Sequence, residues 1–409
     1  MQKVQGSPDR RVSSWIMLLL SAACGLIVAN LYYAQTLVGP IHDAIGLSSA
    51  AAGFIVTVTQ IGYVIGLLFI VPLSDVIENR RLTVIMLMVA VAALLTAGFA
   101  QTAPWFLSAS LFIGIGSAVA QILVPLAAFL ASEEERGRVV GSVMSGLLLG
   151  IMFARPLASF IAGIWDWRAI FVISAAVTFL LAAVLGYALP YRKPSPAVRY
   201  GQLILSLGAI LHRTPALRRR ALYQAFLFGA FSLFWTVVPL HLADTFGMSQ
   251  SGIAWFALVG VAGAIAAPMA GRLADRGWSR RLTGLAMVTA FMSFLLIHLF
   301  ASHSVLALIL LFISAITLDM SVSGNLVISQ RAIYSLGSEA RGRLNGLFMS
   351  IFFIGGAIGS SVGSWSYAQG GWKLTSLIGT LLPVLALIYF LTESRTTGAK
   401  NITVTKNQM

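Results

Sequence analysis

The sequence predicts an all-α membrane protein: twelve transmembrane helices in two pseudo-symmetric six-helix halves. Three observations carry that reading. The 409-residue chain is 58% hydrophobic and 10% charged, a composition that in water would expose large apolar patches. Apolar runs of 18 or more residues recur along it, each able to cross a hydrocarbon core of about 30 Å as a helix. Motifs of the first half return in the second at a near-constant offset.

The runs fall at 14–37, 51–73, 82–100, 105–131, 138–164, 169–190, 219–243, 250–272, 282–301, 304–330, 344–368 and 372–392. The first follows a polar, basic stretch and lacks a small-residue cleavage site. It is expected to be a retained helix, not a cleaved signal peptide. The six spans of residues 1–190 form the expected N-terminal half. A basic stretch with no acid, 191–218, divides them from residues 219–409, the expected C-terminal half with its tail. Within that linker, Leu203, Leu207, Ile210 and Leu211 share one face of a helix. They suit either an amphipathic helix on the membrane surface or a plain tether.

The repeat is specific. Arg80-Arg81-Leu82-Thr83 returns as Arg280-Arg281-Leu282-Thr283, each copy preceded by Leu-x-Asp at Leu73 and Asp75, then Leu273 and Asp275. Later, Arg136-Gly137-Arg138 returns as Arg341-Gly342-Arg343, and Gly141, Ser145 and Gly150 match Gly346, Ser350 and Gly355. Six spans separate the copies, so both have the same orientation, a parallel repeat.

Charge placement sets the topology. The net charge is +14, yet all but three of the 27 Lys and Arg lie in the tails and the even-numbered connections. The exceptions are Arg168, Lys373 and Arg155. That asymmetry is the positive-inside pattern, which places both termini in the cytoplasm and removes any need for a nucleic-acid partner. The single cysteine, Cys24, excludes an intrachain disulfide framework.

Two ionisable residues lie deep in the spans. Arg155 is the one charge between Val139 and Ile164, and Asp319 is the one acid of thirteen away from tails, loops and helix ends. Counted from opposite faces, both fall near mid-depth, within roughly one helical turn of each other at about 1.5 Å per residue. Ionisable groups at this depth are rarely tolerated without use. They are expected either to pair directly or to be satisfied locally by carbonyls, hydroxyls or water.

Six plus six helices, a basic central loop and the doubled D-x4-RR loop resemble the major facilitator superfamily of secondary transporters. Residues 271–282, GRLADRGWSRRL, are close to its loop signature, and 135–146 and 164–171 resemble its bacterial twelve-helix efflux branch of drug and sugar antiporters. The resemblance implies a major facilitator fold in a bacterial inner membrane. It implies that the D-x4-RR loops, Asp75, Arg80, Arg81, Asp275, Arg280 and Arg281, latch the halves in one conformation; topology alone is the competing reading. It implies that the fifth and tenth spans belong to opposite halves that can approach, so Arg155 and Asp319 could couple protons to transport. It further implies a cavity lined by the first, fourth, seventh and tenth spans. Their polar and aromatic residues are Asn30, Tyr33 and Gln35; Gln121; Gln224, Phe228, Phe231 and Trp235; and Ser323 and Asn325. An aromatic cavity with few polar groups suits an amphiphilic solute.

Small-residue ladders run through the fifth span (Gly146, Gly150, Ala154, Ala158, Ala162) and the eleventh (Gly355, Gly359, Gly363). They let backbones approach closely, either between rocking halves or in static packing. The efflux branch typically has Gly-Pro in the fifth span, where this chain has Arg155-Pro156; many proton antiporters carry an arginine in the fourth span, and residues 105–131 have no basic residue.

The expected function is proton-coupled efflux of a small organic solute by a monomer, with no cofactor or metal. Uptake or facilitated diffusion is the alternative, and a non-transporting sensor a more distant one. An enzyme would need a clustered catalytic set, whereas the five histidines, 42, 212, 241, 298 and 303, are scattered.

Overall fold

The computed structural model describes residues 14–132, 135–191, 199–299, 304–336 and 341–393. Its helices follow hydropathy. After the short apolar helix α1 (Ser14–Ala29) come α2 (Ser49–Asp75), α3 (Asn79–Phe99), α4 (Ala103–Leu130), α5 (Gly137–Ile164) and α6 (Trp167–Ala188). The second set is α7 (Pro215–Phe246), α8 (Gln250–Leu273), α9 (Arg276–Leu299) and α10 (Val305–Tyr334), followed by Gly342–Leu391. That last segment holds two spans, α11 (342–369) and α12 (372–391), because the chain reverses at Gly370 and Gly371. Gly371 has φ +59° and ψ −155°, a region that excludes side chains. Large apolar residues such as Phe99, Trp105, Phe179, Leu180, Leu385 and Ile388 point outward, as lipid-facing surfaces require.

The first span departs from expectation. The apolar run over 14–37 predicts a single helix, but α1 stops at Ala29. Asn30, Leu31 and Tyr32 instead donate to carbonyls three residues back, and a 3-10 turn follows at Tyr33–Thr36. The tighter winding turns every later side chain of this span to a different face. Other spans also break. In α2, a π turn at Gly66–Ile70 and a 3-10 turn containing Pro72 follow the α-helix, and in α8 a 3-10 turn spans Leu258–Val261.

The small-residue ladders pack within halves. A Cβ on Gly150 would run into the Gly25 carbonyl of α1, and one on Gly146 into the Ser21 carbonyl. The repeat does the same, with Gly355 against Ala225 and Gly359 against Gly229 of α7. At these positions the ladders therefore pack a half against itself and do not form the seam between halves. Backbones this close gain contacts that any side chain forfeits. Gly150→Val is therefore expected to cost at least about 1–3 kcal/mol through overpacking, read as a lowered thermal midpoint in detergent.

The halves meet mainly through α2 with α11 and α5 with α8. At the end away from the linker, Thr57 donates to the Ala357 carbonyl (3.1 Å) and shares a 2.7 Å hydrogen bond with Ser360. Nearby, Gln60 donates to Ser232 at 3.0 Å. At the linker end the halves stand apart around a cavity of about 800 Å3. A helix at Tyr200–Arg213 crosses that end: Tyr200 donates to the Phe69 carbonyl in α2 (2.8 Å), and Arg343 of α11 donates to Ser206 (2.9 Å). Leu207 of this helix forms part of the cavity wall.

Candidate functional site

Arg155 and Asp319 are brought together across the halves. The Arg155 Nη2 lies 3.8 Å from Asp319 Oδ1, with the side chains 1% and 2% exposed. This separation is within ion-pair range but longer than a hydrogen bond. Trp235 of α7 completes the contact. Its Nε1–H donates to Asp319 Oδ1 at 3.1 Å, while the Arg155 guanidinium carbon sits 3.8 Å from its ring centroid and 5.0 Å from that of Phe231. One indole thus donates to the carboxylate and presents a ring face to the cation. Away from water, such stacking contributes about 2 kcal/mol. The Arg155 carbonyl accepts from Thr36 (3.2 Å), which fastens α5 to the unwound segment after α1.

α8 supplies the third side. A Cβ on Gly260 would lie 2.7 Å from Arg155 Nη2 and 2.9 Å from Asp319 Oδ2, so the bare backbone admits the pair. A chamber of about 30 Å3 adjoins it, walled by Tyr32, Arg155, Phe228, Phe231, Gly260 and Asp319 among others. Ser323 also lines this chamber. Of the expected cavity residues, then, Phe228, Phe231 and Ser323 line the chamber and Trp235 touches both charges.

Other expected cavity residues lie elsewhere. Gln121 is on the wall of the larger cavity, where it donates to the Tyr63 hydroxyl and accepts from Asn345 of the other half, both at 3.1 Å. Asn325 donates to Gln224 at 2.6 Å, and Gln224 donates to the Val322 carbonyl at 3.1 Å. This pair is bonded inside the C-terminal half and lines neither described cavity. Asn30 accepts from Ser174 of α6 at 2.6 Å. Gln35 and Tyr33 are buried off both cavities, and Tyr32, beside the 3-10 turn, lines the chamber.

The D-x4-RR loops show no contact between halves at the arginines described. Glu78 caps α3 by accepting the backbone N–H groups of Arg80 (2.9 Å) and Arg81 (2.6 Å), whose side chains are exposed. Arg280 donates to the Glu393 carbonyl at 2.7 Å, and Arg281 lies over Trp278. Asp75 lines the larger cavity, and the side chain of Asp275 lies outside the described residues. Sequence reasoning missed Tyr32, Gly260, Thr57 and Ser360. Hydroxyls in apolar spans were a usable signal for the last two.

Comparison with known proteins agrees with this architecture. The family model described as Major Facilitator Superfamily matches residues 17–338 and 221–407. The chain is 40% identical over 382 residues to the uncharacterized transporter YgaY of Escherichia coli O157:H7, covering 93% of this chain and 96% of that protein. It is 27% identical to the chloramphenicol efflux pump Rv0191 of Mycobacterium tuberculosis, covering 61% of this chain and 60% of the pump. A bacterial homolog of the human lysosomal transporter Spinster, in an inward-facing and occupied conformation, superposes with a TM-score of 0.73 at 16% identity, covering 94% of this chain and 97% of that one. With the family model matching along nearly its whole length and a relative 40% identical, this integral membrane protein belongs to the major facilitator superfamily, as a secondary transporter and not an enzyme.

Proposed function

We propose that the protein exports a small amphiphilic organic solute across a bacterial inner membrane by alternating access, driven by protons moving inward. In this reading residues 1–190 and 219–409 are the rocking halves, and 191–218 joins them. The linker end is the cytoplasmic one by charge placement, so the large cavity is a loading vestibule open to the cytoplasm.

One observation carries the reading: a buried Arg155–Asp319 pair joins opposite halves at 3.8 Å. Protonation of Asp319 removes one partner of that bond and frees Arg155. The contact between halves then depends on the proton, as coupling requires. Deprotonation restores the attraction and returns the empty carrier. The chloramphenicol efflux relative supports export, although it spans only part of this chain.

The test is Asp319→Asn. The variant inserts normally but loses gradient-driven transport, because its charge no longer changes with the proton. In everted vesicles, chloramphenicol accumulation collapses by about 10²-fold or more if coupling is lost, comparable to removing an essential proton carrier. Unchanged gradient-driven accumulation by Asp319→Asn would overturn the coupling role. Gradient-driven accumulation by wild-type right-side-out vesicles instead would reverse the direction to uptake.

A further inference from the structure

We propose that the linker helix, Tyr200–Arg213, is a strap carried by the C-terminal half, and that Tyr200 is the latch by which it holds the linker end open. The inference rests on the reading that the two halves rock. It requires no proton, no particular solute and no direction of transport.

The helix belongs to the C-terminal half by its joint and by its bonding. Thr214 alone separates Arg213 from Pro215, the first residue of α7, whereas residues 189–199 separate the helix from α6. A one-residue joint gives it little reach away from α7. Arg343, at the start of α11, then fastens it by donating to Ser206 at 2.9 Å. The repeat shows why Arg343 is free to do so. Its counterpart Arg138 donates to Glu135 at 2.7 Å, within its own helix start. The residue that matches Glu135 is Ala340, which has no carboxylate to offer. The apolar face is covered as well: Leu203 and Leu207 are buried.

The other end of the helix crosses to the N-terminal half. The Tyr200 hydroxyl donates to the Phe69 carbonyl of α2 at 2.8 Å. Phe69 lies in the π turn at Gly66–Ile70, and the 3-10 turn at Val71–Asp75 follows. Counted three residues on, the 3-10 partner of that carbonyl is residue 72, and Pro72 has no N–H to give. Tyr200 supplies a donor at the point where α2 leaves regular winding.

The two bonds form one chain across the mouth of the large cavity, from α11 through the strap to α2. Closing that end moves α2 against α11. A hydrogen bond of this kind weakens steeply with distance and angle, so the Tyr200 bond is made in the open state and lost in the closed one. An interaction present in one state alone biases the equilibrium between the two. Ser206 and Tyr200 act in series: losing either frees the strap from one half, and losing both adds little.

Two cysteine reporters test the latch. Val140→Cys lies on the large cavity's wall. Ser364→Cys replaces a buried hydroxyl beside Gly53, in the seam at the other end. Each is labelled in the full-length protein by an impermeant maleimide, the first in everted vesicles and the second in right-side-out ones. The Ser364→Cys rate divided by the Val140→Cys rate follows the ratio of the two states. Tyr200→Phe, which loses only the hydroxyl, is expected to raise that quotient about 2–10-fold, the bias of one neutral hydrogen bond. Ser206→Ala is expected to raise it similarly, and the double variant no further. Gly346→Val obstructs closure of the linker end, because its neighbour there is the Leu67 carbonyl at 3.8 Å. In that background Tyr200→Phe is expected to leave Val140→Cys labelling unchanged. An unmoved quotient in Tyr200→Phe would overturn the latch, and so would additive effects of Tyr200→Phe and Ser206→Ala. A fall in labelling in the Gly346→Val background would also overturn it, by showing a strap that merely shields the cavity. Gly53→Val separates this inference from the reading beneath it. A quotient raised by Gly53→Val but not by Tyr200→Phe leaves rocking halves without a latch, and a quotient moved by neither removes both.

Discussion

Arg155→Met is expected to destabilise the folded protein by about 3–5 kcal/mol, the usual cost of breaking a buried pair from one side. The methionine fills much of the same volume, so the loss comes from charge and not from a cavity. Asp319 is 2% exposed and would keep one hydrogen bond, from Trp235 at 3.1 Å. The stacking of the guanidinium on Trp235 at 3.8 Å would vanish as well. The double variant Arg155→Met with Asp319→Leu separates these causes. Removing both charges leaves no uncompensated ion, so most of the lost stability returns, as it does when buried pairs are replaced by apolar groups of similar volume. Transport is not expected to return, because the proposed proton-coupling group is gone. Unfolding midpoints in detergent, set beside vesicle transport for the same four proteins, give the cycle. Equal destabilisation in the single and double variants would show that the pair does not act as a unit.

Such a residue pair is legible because its physics is local to the sequence. A charge in an apolar run is visible at once, and counting from each helix end gives its depth. That count placed Arg155 and Asp319 at similar depth, and they lie 3.8 Å apart. The spans were legible for the same reason, since hydropathy acts residue by residue. What failed needed geometry. Tyr33 is expected in the cavity only because its span lines it in the family; three successive bonds of 3-10 type follow Ala29, and Tyr32 is the tyrosine at the chamber. The ladder at Gly146 and Gly150 shows that two backbones touch, but nothing in it names the partner, which is α1 of the same half. Gln224 and Asn325 are expected in the cavity because their spans line it in the family; here they bond one another from α7 and α10. Gly260 carries no chemical label, and its importance exists only once three helices converge on it.

Gly53→Val is expected to stop transport by wedging open the end away from the linker. In α2, a Cβ on Gly53 would collide with the Ser360 carbonyl of α11 and lie 2.9 Å from Ser364 Oγ. The neighbouring bonds from Thr57 to Ala357 and Ser360, at 3.1 and 2.7 Å, close the same seam. Overpacking of about 1–3 kcal/mol in one conformation and not the other moves a two-state equilibrium by about 5–150-fold. The state shown here, closed at that seam, loses population to the one open there. Gly346→Val does the opposite. It sits at the linker end, where its nearest neighbour is the Leu67 carbonyl at 3.8 Å, so it is accommodated here and obstructs closure of that end. Both variants lose transport, but they trap opposite states. A cysteine at Val140, on the large cavity's wall, reports which. Cys24 is buried and is the only natural cysteine, so its background is low. In everted vesicles, labelling of Val140→Cys by an impermeant maleimide falls with Gly53→Val and holds or rises with Gly346→Val. The same labelling change in both variants would mean that the α2–α11 seam does not gate access.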